Sequence, residues 1–266
     1  MRVLVFLLIT CLAIITMQGV YSETISEEEK SIILITKSNA MEQTIFDGKW
    51  SYVTEWKPTS WNKLTYEDGS VMHLRTAHQG DFIYIFVDFQ SDMRLDKHVD
   101  KATVCFDSQN NKSKYPDEDD YCFTVSLDQN QGSVFQGGSL LVQDSHLKKI
   151  ENPSGFIAVS KPSDENDRYS KIPHSSYEFR IPLDLIQRSD NYGFFVSVYE
   201  ANSDVFYNWP QSVKRIGFFD FPSPEKWGNL VSPDKSIPEF EVPLLILSSL
   251  IFLIILLNRK WFPSRI

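Results

Sequence analysis

Two short segments, Ala102–Asp107 and Tyr121–Leu127, constrain this chain most, because each alternates in character and each carries one cysteine. Side chains along a strand point to opposite faces in turn. Ala102, Val104 and Phe106 therefore share one face of the first segment, and Thr103, Cys105 and Asp107 share the other. In the second, Tyr121, Phe123, Val125 and Leu127 oppose Cys122, Thr124 and Ser126. Both cysteines fall on the less apolar face and in register. A Cys105–Cys122 bridge would staple neighbouring strands from outside the core, with Cα atoms about 4.4–6.8 Å apart. Closing a loop of about 16 residues is worth about 3 kcal/mol in the chain-entropy account. Away from the core, its removal should cost that cross-link alone, with no cavity. Two buried free thiols are the alternative, and the export signals at the chain ends favour the bridge.

Residues 1–22 have the form of a secretory signal: Arg2, the apolar run Val3–Ile15, then Val20-Tyr21-Ser22 at the expected cleavage site. The run is shorter than the roughly 20 residues a span requires. Cys11 lies within it and stays outside the disulfide count. An uncleaved anchor is the alternative. Residues 23–31 form a polar leader. From Phe221 onward, Pro222, Pro224, Pro233 and Pro238 suggest an extended stalk rather than another packed strand, with residues 232–241 as the stalk proper. Val242–Leu257 is almost wholly apolar and reaches about 24 Å as a helix. The basic tail, residues 258–266, then stays inside. These signals predict a single-pass protein of the cell membrane with its bulk outside the cell.

Between the two ends, short strands bounded by Gly, Pro, Asn, Asp or Ser recur without long helices. Phe82–Phe89 is apolar on both faces and reads as a central, doubly covered strand. Tyr177-Glu178-Phe179-Arg180-Ile181 alternates sharply, predicting apolar residues inward and charges outward. This spacing predicts an all-β, two-sheet antiparallel β-sandwich over residues 32–231. A net charge of −9 argues against a nucleic-acid surface. Among the residues are no nucleophile elbow, phosphate loop or metal-protease motif, so the expectation is a protein without catalysis.

Two resemblances add to this reading. Ile237-Pro238-Glu239-Phe240, an apolar span and Asn258-Arg259-Lys260 resemble an archaeal PEF-type C-terminal sorting signal, although Glu241 stands where that pattern prefers Gly. The resemblance implies removal of the tail and attachment to a lipid; an ordinary single-span anchor is the alternative. Residues 32–231 resemble the family 9 carbohydrate-binding modules and the wider DOMON-like, jelly-roll sandwiches. The resemblance rests on Phe46-Asp47-Gly48-Lys49-Trp50 with Glu55-Trp56, on Phe82–Val87, on Ala102–Asp107, on Tyr177–Leu183 and on Pro224-Glu225-Lys226-Trp227-Gly228. It implies a glycan-binding module, with relatives that bind haem instead.

Sugar recognition needs flat aromatic faces against pyranose C–H groups, with polar side chains for the hydroxyls. Trp61 and Trp209, placed near expected loops, are the leading platforms, followed by Trp50 and Trp56. Core packing is the plainer role for any one of them. Asn208, Glu200 and Arg75 are candidate hydroxyl partners. Asp117, Glu118, Asp119 and Asp120 form an acidic run that could offer Ca2+ its preferred oxygens, or serve as a solvated turn. Asn111-Lys112-Ser113 makes Asn111 a glycosylation acceptor, which requires that loop to be exposed. Haem would need two axial ligands, drawn from Met72, Met93, His73, His78 and His98. Nothing marks a pair, and His73 and His78 should face opposite ways, which also argues against zinc there.

Overall fold

The computed structural model describes residues 31–140, 146–215, 217 and 221–233. The expected signal, most of the polar leader, the PEF-like motif, the apolar span and the basic tail lie outside the described residues. Among the described residues no helix is long and apolar enough to cross a membrane.

The fold is a two-sheet β-sandwich. The strands are β1 (Ile32–Leu34), β2 (Thr36–Lys37), β3 (Ser60–Thr65), β4 (Val71–Gln79), β5 (Phe82–Phe89), β6 (Lys101–Asp107) and β7 (Asp120–Ser126). They continue as β8 (Ser133–Gln136), β9 (Lys148–Ile150), β10 (Ile157–Pro162), β11 (Ser175–Pro182), β12 (Asn191–Glu200), β13 (Val205–Trp209) and β14 (Gly228–Val231). One helical turn, α1 (Leu183–Ile186), follows β11. The first sheet runs β1-β14-β12-β6-β7-β8-β9, with β13 also paired to β12. The second runs β10-β11-β5-β4-β2, with β3 also paired to β4.

Both sheets are mixed rather than purely antiparallel, because the first strand serves both. β1 lies parallel to β14, the chain steps across at Ile35, and β2 lies parallel to β4. The Pro-rich stretch after Phe221 does not run off as a stalk. Trp227 is buried, and β14 enters the first sheet beside β12. Four residues are too short a run for alternation to announce a strand.

The core lies between the sheets. Val104, Phe106, Phe123 and Phe194 from the first sheet meet Leu74, Ile85, Val87 and Phe179 from the second. β5 is buried on both faces, as its unbroken apolar run requires. Beyond the core, each sheet carries a second, smaller apolar layer on its outer face. On the first sheet, Phe195, Cys105 and Cys122 pack under Leu147, Val213, Phe221 and Trp227. On the second, Tyr84, Phe86 and Ala77 pack under Met41, Trp50 and Trp56.

These outer layers correct two expectations. Cys105 and Cys122 are bridged and pair directly across β6 and β7, with Cα atoms 4.1 Å apart. That is closer than the expected span, in line with the short approach of about 4.5 Å between directly opposed antiparallel residues. The bond lies off the main core but is fully buried in the outer cluster, so it does not face water. Glu178, expected to point outward into solvent, is also fully buried, because the segment before β3 covers it.

That segment is fastened by Glu178. Its carboxylate accepts from Gly48 N at 2.7 Å and from Trp56 Nε1 at 2.9 Å. Gly48 has φ +95°, and a Cβ there would stand 2.5 Å from the Ser160 carbonyl carbon. Only glycine permits that approach and conformation together. Glu55, another element of the motif, binds Ile45 N and Ser51 N and folds the segment on itself.

Candidate functional site

β3 is an edge strand whose outward row is Trp61, Lys63 and Thr65. Trp61 is 52% exposed, unlike the other tryptophans of the described residues. It sits inside a strand rather than on a loop, opposite Arg75 of β4. Lys63 faces His73 in the same register. The indole N–H of Trp61 donates to His73 Nδ1 at 3.1 Å. Indole is a donor only, so His73 Nδ1 is the acceptor and its Nε2–H donates to Gln90 Oε1 at 3.1 Å. Burial pushes the pKa of His73 down to about 4, which keeps the ring neutral.

Tyr169, from the β10–β11 loop, completes the platform. It stacks on His73 at 3.6 Å between centroids and lies parallel to Trp61 at 6.0 Å. Arg75 lies beneath, its guanidinium 5.2 Å from the Trp50 ring and 5.9 Å from Trp61. It donates to Tyr169 Oη at 2.6 Å and to the Trp56 carbonyl at 3.1 Å. Arg75 is thus a buried brace, not a free hydroxyl partner. The result is one exposed indole face whose tilt is set by a hydrogen bond, a ring stack and a cation.

A groove of about 770 Å³ opens where Lys63 and Thr65 meet Trp209, Pro210, Gln211 and Lys226. Lys63 therefore stands between the platform and the groove. Trp209 lines the groove but is only 4% exposed; its ring packs against Phe194, and Gly228 leaves it room. Trp50 and Trp56 are fully buried and present no face. Their positions within the Phe46–Trp56 segment are structural here. Asn208 is buried and spends its amide on the Val213 carbonyl at 2.9 Å. Glu200 is buried and caps its own turn through Asn202 N and Ser203 N.

The acidic run gathers only in part. Asp119 and Asp120 converge with Asp107, which the sequence marked only as a strand end, while Glu118 stays exposed outside the group. Most of their oxygens are already taken. Asp107 accepts from Asn111 N and Lys112 N, Asp120 from Asp117 N, and Asp119 from Gln109 N. The run builds its own loop more than it offers a cation site. Asn111 is exposed, as glycosylation would require, and its amide donates to Asp117 and Asp119.

Among the described residues no axial pair for haem assembles. Met72 points into the inter-sheet core, His73 is on the opposite face with both nitrogens used, and Met93 and His98 are exposed. His78 Nε2 lies 3.3 Å from Ser232 Oγ.

Stability should depend on pH through the carboxylates under the far end of β5. Asp92 is buried, and burial followed by the charge of Asp100 raises its pKa to about 7. An acid raised in the folded state keeps its proton while the unfolded chain has lost it, so stability falls as pH rises from about 4 to 7. His73, depressed, works the opposite way but only between about 4 and 6.5. Asp92→Asn should therefore leave the melting temperature nearly unchanged at pH 4 and raise it at pH 8. The expected gain is about 1–3 kcal/mol by the usual worth of a pKa unit. Equal shifts at both pH values would show that Asp92 is not held neutral.

No protein-family model matches the sequence, and no curated protein matches it either. In shape the chain is similar to a family 9 carbohydrate-binding module from Caldicellulosiruptor kristjanssonii solved with cellotriose. There the identity is 11%, the TM-score 0.45, and the match covers 76% of this chain and 93% of that one. It is similar also to such a module from the same organism solved with glucose, at 10% identity and TM-score 0.46, covering 76% and 95%. Both are similarities of chain path, at identities too low to transfer the role of any residue.

Proposed function

We propose that this protein is a non-catalytic glycan-binding module displayed at the cell surface. The observation that carries the reading is Trp61: a large aromatic face, half exposed, yet held at a fixed tilt by His73, Tyr169 and Arg75. A flat preorganised indole suits the C–H face of a pyranose and spends little entropy on binding. Lys63 and Thr65 continue the row toward the groove, whose polar side chains suit the hydroxyls of further sugar units.

The test is a glycan array followed by titration with the best glycan. Trp61→Ala should weaken binding about tenfold or more, which is about 1.4 kcal/mol, with little change in melting temperature. Trp209→Ala should unfold or destabilise the protein instead, since that ring is core. An array without any bound glycan would favour the second reading, a structural envelope protein whose sandwich is a spacer. The membrane anchor at residues 242–257 belongs to the same proposal. Its test is whether deleting those residues releases the protein from the membrane fraction.

A further inference from the structure

We propose that Asp88, Asp167 and His174 form a binding site for a divalent cation of the zinc class. The three come from β5, the β10–β11 loop and the residue before β11, and all three are fully buried. Their potential ligand atoms lie within 4.8 Å of one another. His174 Nε2 is 2.9 Å from Asp88 Oδ1 and 3.9 Å from Asp167 Oδ1.

The hydrogen-bond pattern leaves this centre unsatisfied. Both oxygens of Asp88, Oδ2 of Asp167 and Nε2 of His174 make no aligned hydrogen bond. Buried polar atoms are seldom left so, and once Nε2 gives up its proton the two carboxylates and the ring nitrogen offer only lone pairs to the space between. The other side of the ring is fixed. Nδ1 lies 2.8 Å from the Ile172 carbonyl, which can only accept, so Nδ1 carries the proton. Ser163 Oγ is 2.9 Å from the same nitrogen and accepts the His174 backbone N–H. A metal-binding histidine is oriented in this way, with its far N–H held by a carbonyl and its lone pair toward the ion.

The same proton position excludes the other constellation these residues suggest. A Ser163–His174–Asp88 relay needs Nδ1 free to take the serine proton, and it is not free; the serine is also buried. Charge decides what the centre wants instead. Without an ion, His174 Nε2, 2.9 Å from Asp88 Oδ1, supplies positive charge to this closed-off carboxylate pair as the imidazolium; a divalent cation taking the place of that proton would cancel both carboxylates. Nitrogen with two carboxylates favours zinc and its neighbours over calcium or magnesium, which prefer oxygen throughout. Ligand bonds of about 2.0–2.2 Å place tetrahedral ligand atoms about 3.3–3.6 Å apart, inside the 4.8 Å that contains the three ligand atoms here.

An ion here would also pin the loop that carries the platform. Asp167 Oδ1 accepts the backbone N–H of Tyr169 at 2.7 Å and of Ser170 at 2.9 Å. The site stands whether or not the platform binds glycans.

The full-length chain, stripped with a chelator, should take up one equivalent of Zn2+ by calorimetric titration and melt at a higher temperature once loaded. Co2+ should bind with a visible ligand-field spectrum that changes when His174 is replaced. His174→Ala should abolish uptake. Should that variant fail to fold, Asp167→Asn carries the test, because Asn keeps the acceptor for Tyr169 N and Ser170 N while removing a ligand oxygen. Asp119→Asn, in the other acidic group, should leave uptake intact. The proposal is overturned if the wild type takes up neither Zn2+ nor Co2+, if uptake survives in both site variants, or if only Ca2+ binds. In the first case His174 is an imidazolium paired with Asp88.

Discussion

Replacing both bridged cysteines, Cys105→Ser with Cys122→Ser, should lower the unfolding free energy by about 4–6 kcal/mol. The cross-link accounts for about 3 kcal/mol. The rest comes from where the bond lies. Its sulfurs pack with Phe195 and Leu147 under Val213, Phe221 and Trp227, with no exposure. Two serine hydroxyls in that layer would lack partners, at about 1–3 kcal/mol each, partly relieved by water entering from the edge. The Ala pair should therefore be more stable than the Ser pair, by about 1 kcal/mol or more. Denaturant titration of the oxidised wild type and both double variants measures the difference. If the Ser and Ala pairs coincide, each about 3 kcal/mol below wild type, the cover does not seal the bond and only the cross-link counts.

That prediction differs from the one the sequence supports, and the reason is general to this chain. Alternation in Ala102–Asp107 and Tyr121–Leu127 correctly assigned the core face, the register and the pairing of Cys105 with Cys122. It could not say what lies over the other face. Cover for the first sheet comes from Leu147, Val213, Phe221 and Trp227, scattered singly along the sequence without a period to detect. The second sheet is covered by Met41, Trp50 and Trp56, in a segment with little regular structure. Strands with two apolar faces, such as β5, announced their cover; Glu178, Arg75 and Asp88 did not, because a polar residue in an alternating strand reads as solvent-facing until a second layer is known.

The candidate site shows the same limit. Trp61 stands out in the sequence as a candidate platform, but near an expected loop rather than inside a strand, since Ser60–Thr65 mixes polar and apolar residues on an edge strand. Tyr169, which fixes its orientation, carried no signal at all. It lies in a polar loop, over a hundred positions along the chain from Trp61. Trp50, Trp56 and Trp209 were indistinguishable from Trp61 by residue type. Only burial separates a tryptophan that fills a layer from one that presents a face. His73 and His174 illustrate the converse. Each became interpretable once both ring nitrogens could be assigned, one to a Trp61–Gln90 bridge and the other to a carbonyl and a pair of carboxylates.

Glu178→Ala should cost about 3–5 kcal/mol, although no sequence signal marks the residue as more than a surface charge. The side chain is buried in β11 and both oxygens accept from the covering segment, one from Gly48 N and one from Trp56 Nε1. Burial drives its pKa well above the usual carboxylate range, so this acceptor is held where an unpaired charge would not survive. Removing it strands two buried donors, at about 1–3 kcal/mol each, and leaves a void beside Trp56. Glu178→Gln keeps one acceptor oxygen but turns an amide N–H toward the second donor. It should therefore fall between the wild type and the Ala variant. The damage should begin in the cover and spread to the platform, because Trp50 and the Trp56 carbonyl both hold Arg75, and Arg75 braces Trp61 and Tyr169. Limited proteolysis of Glu178→Ala should cut first between residues 40 and 59, and its tryptophan emission should shift to the red before global unfolding. A variant within 1 kcal/mol of wild type, equally resistant to protease, would mean that the segment is held by Trp50 and Trp56 packing alone.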